Sequence, residues 1–215
     1  MYRLLKRILD IIIAVPSLLV ASPLLILIAL AIKLDGTNGP VFNESSTRLG
    51  RGKKPFFMYK FRSMEKGSHI EFWKRHPELK ALKQELEQKG KLPSSRDPRV
   101  TKVGRFIRKT DLDELPQLFN VIRGEMSIVG PRAPFKEEVE RYLELYPDIR
   151  EGIDDAYSVK PGITGIWQVS GRNSISTPDR YKMEAGYARR KNILDDIKII
   201  LKTPFVVLTR KGSTD

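Results

Sequence analysis

Cysteine is absent from the 215 residues, which excludes disulfides, thiolate nucleophiles and cysteine-ligated zinc, and nothing suggests an oxidising compartment. Histidine is nearly absent: His69 and His76 are the two in the chain. Neither has a second metal-type ligand at short helical spacing, so both read as solvated helix surface. Acidic charge is also short. The 39 Lys and Arg outnumber 26 Asp and Glu, a formal net charge of +13. That excess points to an anionic partner, whether nucleic acid, phospholipid or a phosphorylated substrate, without choosing among them. The length allows one ordinary core plus attachments, and is short for two independent domains.

What the chain has in quantity is apolar sequence near its start. Residues 11–32 carry no charge, a run long enough to cross a hydrocarbon core of roughly 30 Å as a helix. The run continues undivided to Lys33-Leu34-Asp35-Gly36, without the small-residue cleavage site of a signal peptide, and so is expected to be retained. Pro16 lies inside it and Ser22-Pro23 at its centre, where proline removes a backbone donor and bends the helix. Arg3, Lys6 and Arg7 should hold the N-terminus in the cytoplasm. A full span would then put the rest of the chain outside. Yet Arg3, Lys6, Arg7 and Lys33 less Asp10 supply only +3 up to residue 34, leaving +10 beyond it, and a basic body prefers the anionic cytoplasmic leaflet. A helix that breaks at Ser22-Pro23 and returns to the side it entered from removes the conflict; a tilted or kinked span is the competing arrangement.

The remainder predicts an α+β body, predominantly helical, with residues 1–35 as the membrane segment and 36–215 as the catalytic domain. Val41-Phe42 and Phe56 to Phe61, broken by the turn Arg48-Leu49-Gly50-Arg51-Gly52, suggest a small hairpin. Ile70, Phe72, Trp73, Leu79, Leu82 and Leu86 lie at helical spacing, with Pro77 starting a new helix after His76. Residues 93–98 form a loop. Residues 180–208 carry apolar residues at helical spacing (Ile193, Leu194, Ile197, Ile200 and Leu201) with Lys191, Lys198 and Lys202 interleaved, then Pro204 and another apolar run, a basic amphipathic pattern suited to a membrane surface or to a core.

The densest chemical constellation is residues 107–120, where Asp111, Asp113 and Glu114 follow Arg108-Lys109 and precede an apolar helical pattern. Pro116 belongs in a first turn, which places Asp113 or a neighbour at a helix N-cap. The same geometry favours phosphate and helps keep Asp113 ionised. An ionised aspartate is a nucleophile toward phosphorus. Attack by a carboxylate on a diphosphate needs a cation between the anions, and Mg2+ held by Glu114 with Asp113 suits that need. The Gly130-Pro131-Arg132 turn offers a guanidinium for bidentate phosphate recognition. A loop from Lys160 to Asn173, including Gly162, Gln168 and Arg172, exposes backbone amides that suit a phosphate cradle.

Together, Tyr59-Lys60-Phe61-Arg62-Ser63-Met64, the stretch 112–118, the Gly-Pro-Arg turn and the loop Pro161-Gly162-Ile163-Thr164-Gly165 resemble the bacterial sugar transferases, the monotopic phosphoglycosyl transferases, in the family's order and over essentially the whole chain. The resemblance implies that Asp113 displaces a nucleoside monophosphate to form a covalent phosphosugar ester, which polyprenyl phosphate then attacks, with Glu114 as the magnesium-associated partner. It further implies Lys60, Arg108 and Arg132 near phosphates and a re-entrant helix with its break at Ser22-Pro23. Two positions depart from the family pattern: Asp111, usually a small hydroxyl residue, and Ala133, usually proline. A third acid beside the pair raises carboxylate pKa values by like-charge repulsion.

The expected partners are a UDP-sugar, with UDP-galactose or UDP-glucose as donor, undecaprenyl phosphate and the phospholipid of the inner membrane's cytoplasmic face. A homodimer is allowed for, and the pathway would be exopolysaccharide, O-antigen or glycoprotein glycan synthesis. The main alternative is a membrane-tethered nucleic-acid-binding or regulatory protein, against which the acidic cluster speaks. A hydrolase using water at the same site is separated only by the membrane segment. A glycosidase fits least, because adjacent carboxylates do not face each other across a sugar.

Overall fold

A computed structural model describes residues 1–37, 39–43, 46–67, 71–89 and 92–209. In chain order, helix α1 (Tyr2–Lys33) is followed by the hairpin strands β1 (Thr47–Leu49) and β2 (Pro55–Phe57), then the short helix α2 (Glu71–Arg75). Next come α3 (Lys80–Lys89), α4 (Lys102–Lys109), α5 (Gln117–Arg123), β3 (Ser127–Val129), α6 (Lys136–Leu145) and α7 (Arg150–Ala156). Strand β4 (Gly162–Thr164) and helices α8 (Ile166–Ser170), α9 (Thr177–Arg190) and α10 (Ile193–Thr209) complete the order. The architecture is mostly helical with two small strand pairs, as the sequence predicts. Antiparallel β1 and β2 register Thr47 with Phe57; parallel β3 and β4 register Ser127 with Gly162.

Helix α1 corrects one expectation. It continues through Pro16 and Ser22-Pro23 without interruption, so the proposed break at Ser22 and Pro23 is not a break in the helix. Proline removes one hydrogen bond and crowds the preceding turn, which bends a helix more readily than it ends one. Near the C-terminus the helical pattern expected over 180–208 falls on two helices. Helix α9 stops at Lys191, which adopts left-handed backbone geometry (φ 47°), before α10 begins. The helical pair expected around Pro77 is present, with a 3-10 turn over Pro77–Leu79 between α2 and α3. His76 lies beside Glu78, with Nδ1 3.0 Å from Oε1, at the surface as expected; His69 falls outside the described residues.

The described residues fall into two compact units: 1–21, 46–59 and 116–209 in the first, 22–43 and 60–115 in the second. The first unit has a core of Ala14, Met58, Leu118, Val121, Met126, Val129, Tyr187 and Ile199, with a second cluster of Ile149, Ile153, Ala156, Tyr157 and Tyr181 where α7 meets α9. The early turns of α1 belong to this unit through polar ties. Asp10, 3% exposed, accepts from Ser127 Oγ at 2.8 Å and Ile128 N at 2.9 Å. Arg7 donates to the carbonyls of Val121 and Ile122 at 2.6 and 2.7 Å, placing a cation on the last turn of α5, where the helix dipole favours it. Lys6 pairs with Asp196 at 3.0 Å, and Tyr187 donates to the same carboxylate at 2.5 Å.

In the second unit, buried Arg62 holds the far end of α1: its guanidinium donates to Ile32 O at 3.0 Å and Pro40 O at 2.7 Å, and bonds Thr37 Oγ1. Asp35 lies 3.4 Å from the same group. A buried pair, Asp97 with Arg99, closes with donor distances of 2.8 and 2.6 Å and fixes the loop that leads into α4.

Candidate active site

Helix α4 is seated by its own sequence. Thr101 caps it, with Oγ1 accepting from Gly104 N at 2.9 Å, and Thr101 N donates to Ser63 O at 3.1 Å. Gly104 approaches that segment so closely that a Cβ would lie 1.9 Å from Ser63 O. After α4 the chain reverses at Asp111, in left-handed geometry (φ 53°), and enters a 3-10 turn over Leu112–Glu114. Phe61 N donates to Asp113 O at 3.0 Å, which brings the turn alongside Lys60. The Lys60 ammonium then sits between two consecutive carboxylates, 2.8 Å from Asp113 Oδ2 and 3.0 Å from Glu114 Oε1.

The two acids differ in setting. Asp113 is 2% exposed, whereas the Glu114 side chain is 41% exposed. Burial pushes the Asp113 carboxyl above the usual carboxylate range, with Lys60 pulling against it, Glu114 adding to it and Arg108 also pulling down. Burial works against the Lys60 charge too, but Glu114 and Asp113 outweigh it and hold the ammonium above its ordinary value. Arg108, near enough to influence Asp113, donates to Ser94 Oγ at 3.3 Å. Asp113 therefore is not the helix N-cap expected from Pro116. Pro116 itself occupies that position of α5, with no side-chain cap bond, and Lys60, in place of the helix dipole, supplies the countercharge.

Lys60, Arg108, Asp113 and Glu114 belong to the second unit, while Arg132, Gly162, Gln168 and Arg172 belong to the first. There the Gly-Pro-Arg turn and the glycine loop are packed backbone to backbone. A Cβ at Gly162 would lie 2.0 Å from Gly130 N, and one at Gly165 2.1 Å from Gly130 O. These glycines are demanded by the parallel β3–β4 contact, which is a structural reason for them independent of any phosphate cradle. Arg132 bonds Glu138 Oε1 at 2.7 Å through its guanidinium and Glu184 Oε1 at 2.9 Å through its backbone N–H. Gln168 lies on α8, its Oε1 buried and without a hydrogen-bond partner among the described residues. Arg172 opens a 3-10 turn in left-handed geometry (φ 50°).

Sequence reasoning missed the network behind Arg132. Arg180 lies 3.6 Å from Glu138 and 3.4 Å from Glu184, and its guanidinium stacks over Trp167 at 4.9 Å. Glu184 is fully buried; burial raises its pKa against the pull of Arg180. Burial also pushes Glu138 upward, but Arg132, Arg180 and Arg48 outweigh it and hold that carboxyl below its usual range. The available signal was a charged i,i+4 pair within a face otherwise made of Tyr181, Ala185, Tyr187 and Ala188.

Comparison with known proteins shows the family. Residues 1–210 match the bacterial sugar transferase family. The chain is 43% identical over 211 residues to the undecaprenyl-phosphate galactose phosphotransferase of Salmonella typhimurium, covering 98% of this chain and 42% of that one. It is 42% identical over 212 residues to exopolysaccharide production protein ExoY of Sinorhizobium fredii, covering 97% and 87% respectively. It is 39% identical over 216 residues to the UDP-glucose:undecaprenyl-phosphate glucose-1-phosphate transferase of Escherichia coli, covering 98% and 42%. The chain thus spans about two fifths of the length of several curated relatives it matches. None of these relatives is named for a nucleic acid, and the tethered nucleic-acid-binding alternative finds no support. With its match running almost end to end, the chain belongs to the bacterial sugar transferase family.

Proposed function

We propose that this chain transfers a sugar-1-phosphate from a UDP-sugar, UDP-galactose or UDP-glucose, to undecaprenyl phosphate at the cytoplasmic face of the bacterial inner membrane. The observation that carries the reading is the buried Asp113 carboxylate beside Lys60 and the half-exposed Glu114. In the first step an Asp113 carboxylate oxygen bonds to the sugar-bearing phosphorus while the bond from that phosphorus to the bridging oxygen breaks, and UMP leaves with the electron pair. In the second, a polyprenyl phosphate oxygen attacks the same phosphorus and Asp113 is released as carboxylate. Lys60 engages Oδ2, leaving Oδ1 as the attacking oxygen, and its charge favours the anionic form against the opposing effect of burial.

Glu114 and Asp113 offer hard oxygen donors of the kind Mg2+ takes, one or two carboxylates completed by substrate phosphate and water. When bound there, the ion neutralises phosphate charge. Among the described residues no three acidic or histidine side chains form a closed cage, which suits an ion shared with substrate rather than a structural one. Arg108, in the same unit as Asp113 and near enough to act on its carboxylate, is the cation we assign to a substrate phosphate.

The membrane reading rests on α1, the one helix among the described residues long and apolar enough to cross a bilayer. Leu19, Val20, Ile26, Leu27 and Leu30 lie exposed along it. On α10, Leu194, Ile197, Leu201, Phe205 and Leu208 form a second exposed apolar stripe, suited to lying on the bilayer surface. A re-entrant course for α1 is favoured over a span because each end is tied to a polar unit. Lys6, Arg7 and Asp10 hold the first, and Arg62 the second. A span would oblige the chain passing from one unit to the other to cross lipid without an apolar segment.

The test is UMP release from a panel of UDP-sugars with undecaprenyl phosphate and Mg2+. Turnover with one sugar, lost in Asp113→Asn together with the phosphosugar adduct seen by intact-protein mass spectrometry, is the expected result. Undiminished turnover in that variant would refute the nucleophile assignment.

A further inference from the structure

At the foot of α1, in the first unit, two adjoining hollows share Arg51, Ser158 and Lys160: a broad cleft of about 650 Å3 and a narrower one of about 170 Å3. The narrower hollow also takes Arg3, Lys6, Arg7 and Lys191 against a single acid, Asp10. Most of this charge is uncompensated. Arg7 spends its guanidinium on two neutral carbonyls, and Asp10 spends its carboxylate on Ser127 and Ile128. Lys6 alone of the six has a carboxylate partner, Asp196; among the described residues no acid pairs with Arg3, Arg51, Lys160 or Lys191. The Lys160 ammonium is pushed below its ordinary value by burial and then by Arg7, with Arg51 acting the same way and Asp10 pulling only partly against them. Folding has gathered cations that repel one another in a concave site, an arrangement that an anion would relieve.

We propose that this hollow binds a phosphate group through Arg51, Lys160 and Lys191, with Arg3 and Arg7 closing it from α1. Its lining includes none of Lys60, Asp113 or Glu114, and binding there requires no transfer chemistry. The phosphate has two sources: the headgroup of an anionic phospholipid, or phosphate free in solution. The first rests on the membrane reading above. Arg7 stands about one turn, and Arg3 about two turns, before the apolar stretch of α1 begins, which is where headgroups meet a helix entering a bilayer.

The experiment is thermal unfolding of the full chain in nanodiscs of phosphatidylcholine, with and without phosphatidylglycerol, and in phosphatidylcholine discs titrated with inorganic phosphate. The expected result is a rise in Tm of about 4 °C that is abolished in Arg51→Ala/Lys160→Ala and kept in Lys74→Ala/Lys80→Ala, an equal charge change on α2 and α3. In plain phosphatidylcholine the first variant should melt no lower than the wild type, since it removes repulsion. A second pair at exposed positions, Arg51→Gln/Lys191→Gln, covers the case in which removing Lys160 harms folding. A rise with phosphatidylglycerol alone identifies the lipid headgroup; a rise with inorganic phosphate as well shows that the hollow takes phosphate from solution, and both support the site. No rise, a rise that survives both cleft variants, or one lost equally in the control pair overturns it. Because only stability is read, a failure here and a failure of UMP release remain separate results.

Discussion

Lys60 is the residue on which the chemistry of Asp113 depends. A carboxylate 2% exposed costs several kcal/mol unless a countercharge meets it, and removing one partner of such a pair leaves the other stranded. Lys60→Gln should therefore lower stability by about 3 kcal/mol at neutral pH. The pH dependence has a definite sign. Burial already raises Asp113 above its ordinary value, and without Lys60 the rise is larger, so the folded state holds a proton more tightly than the unfolded state between those two values. Stability of Lys60→Gln should then increase as pH falls through that window, measured by denaturant unfolding across acidic buffers. The acidic limb of its remaining UMP release should move to higher pH than in the wild type, because turnover needs the ionised nucleophile. A limb that stays in place would show that Lys60 does not set the protonation of Asp113. Glu114→Gln, at a half-exposed position, should leave Tm within about 1 °C of wild type while raising the Mg2+ concentration needed for half-maximal rate. An unchanged Mg2+ titration would remove Glu114 from the metal site.

At the scale of elements, the question is which signals were local. The helix pair divided at Pro77, the acidic pair and the presence of a hairpin were legible because a proline, two adjacent acids or a turn motif declare themselves within a few residues, although the first strand is Thr47–Leu49 and Val41-Phe42 contributes only an isolated bridge from Phe42 to Phe61. The setting of Asp113 was not. Pro116 correctly announced a helix start, but a donor 53 positions away, Lys60, decided that the carboxylate would be buried in an ion pair rather than spent on capping. Lys6, Arg7 and Asp10 likewise read as flanking charge. Their partners, Val121, Ile122, Ser127, Ile128 and Asp196, lie more than a hundred residues away, beyond any periodicity. Asp10→Ala should cost about 2–4 kcal/mol, since it strands a buried hydroxyl and a buried backbone N–H; a fall in Tm under 2 °C would show that water replaces the carboxylate. Glycine behaves similarly. Gly104→Ala should push α4 away from Ser63 and lower Tm and UMP release together, with Arg108 displaced as the helix moves. A variant that keeps its stability and loses only rate would assign Gly104 a direct part in substrate contact.

At the scale of the whole molecule, α1 poses a problem of length. Thirty-two residues of helix extend about 48 Å, well beyond a hydrocarbon core of about 30 Å, yet polar ties hold both of its ends. Tilt alone would reconcile the length with a span and send the two ends to opposite faces. A bend at Pro16 or Pro23 reconciles it with a return to one face, and the uninterrupted helical course from Tyr2 to Lys33 permits that bend without requiring a gap. The absence of native cysteine makes the choice measurable with single thiols introduced at Arg3 and at Leu34. In sealed inside-out vesicles, where the cytoplasmic face is outward, an impermeant maleimide should label both positions if α1 is re-entrant. Labelling of Arg3→Cys alone would establish a span. Pro23→Ala supplies the physical cause: restoring the missing donor straightens the helix, and the label at position 34 should fall if that proline produces the return and persist if Pro16 does.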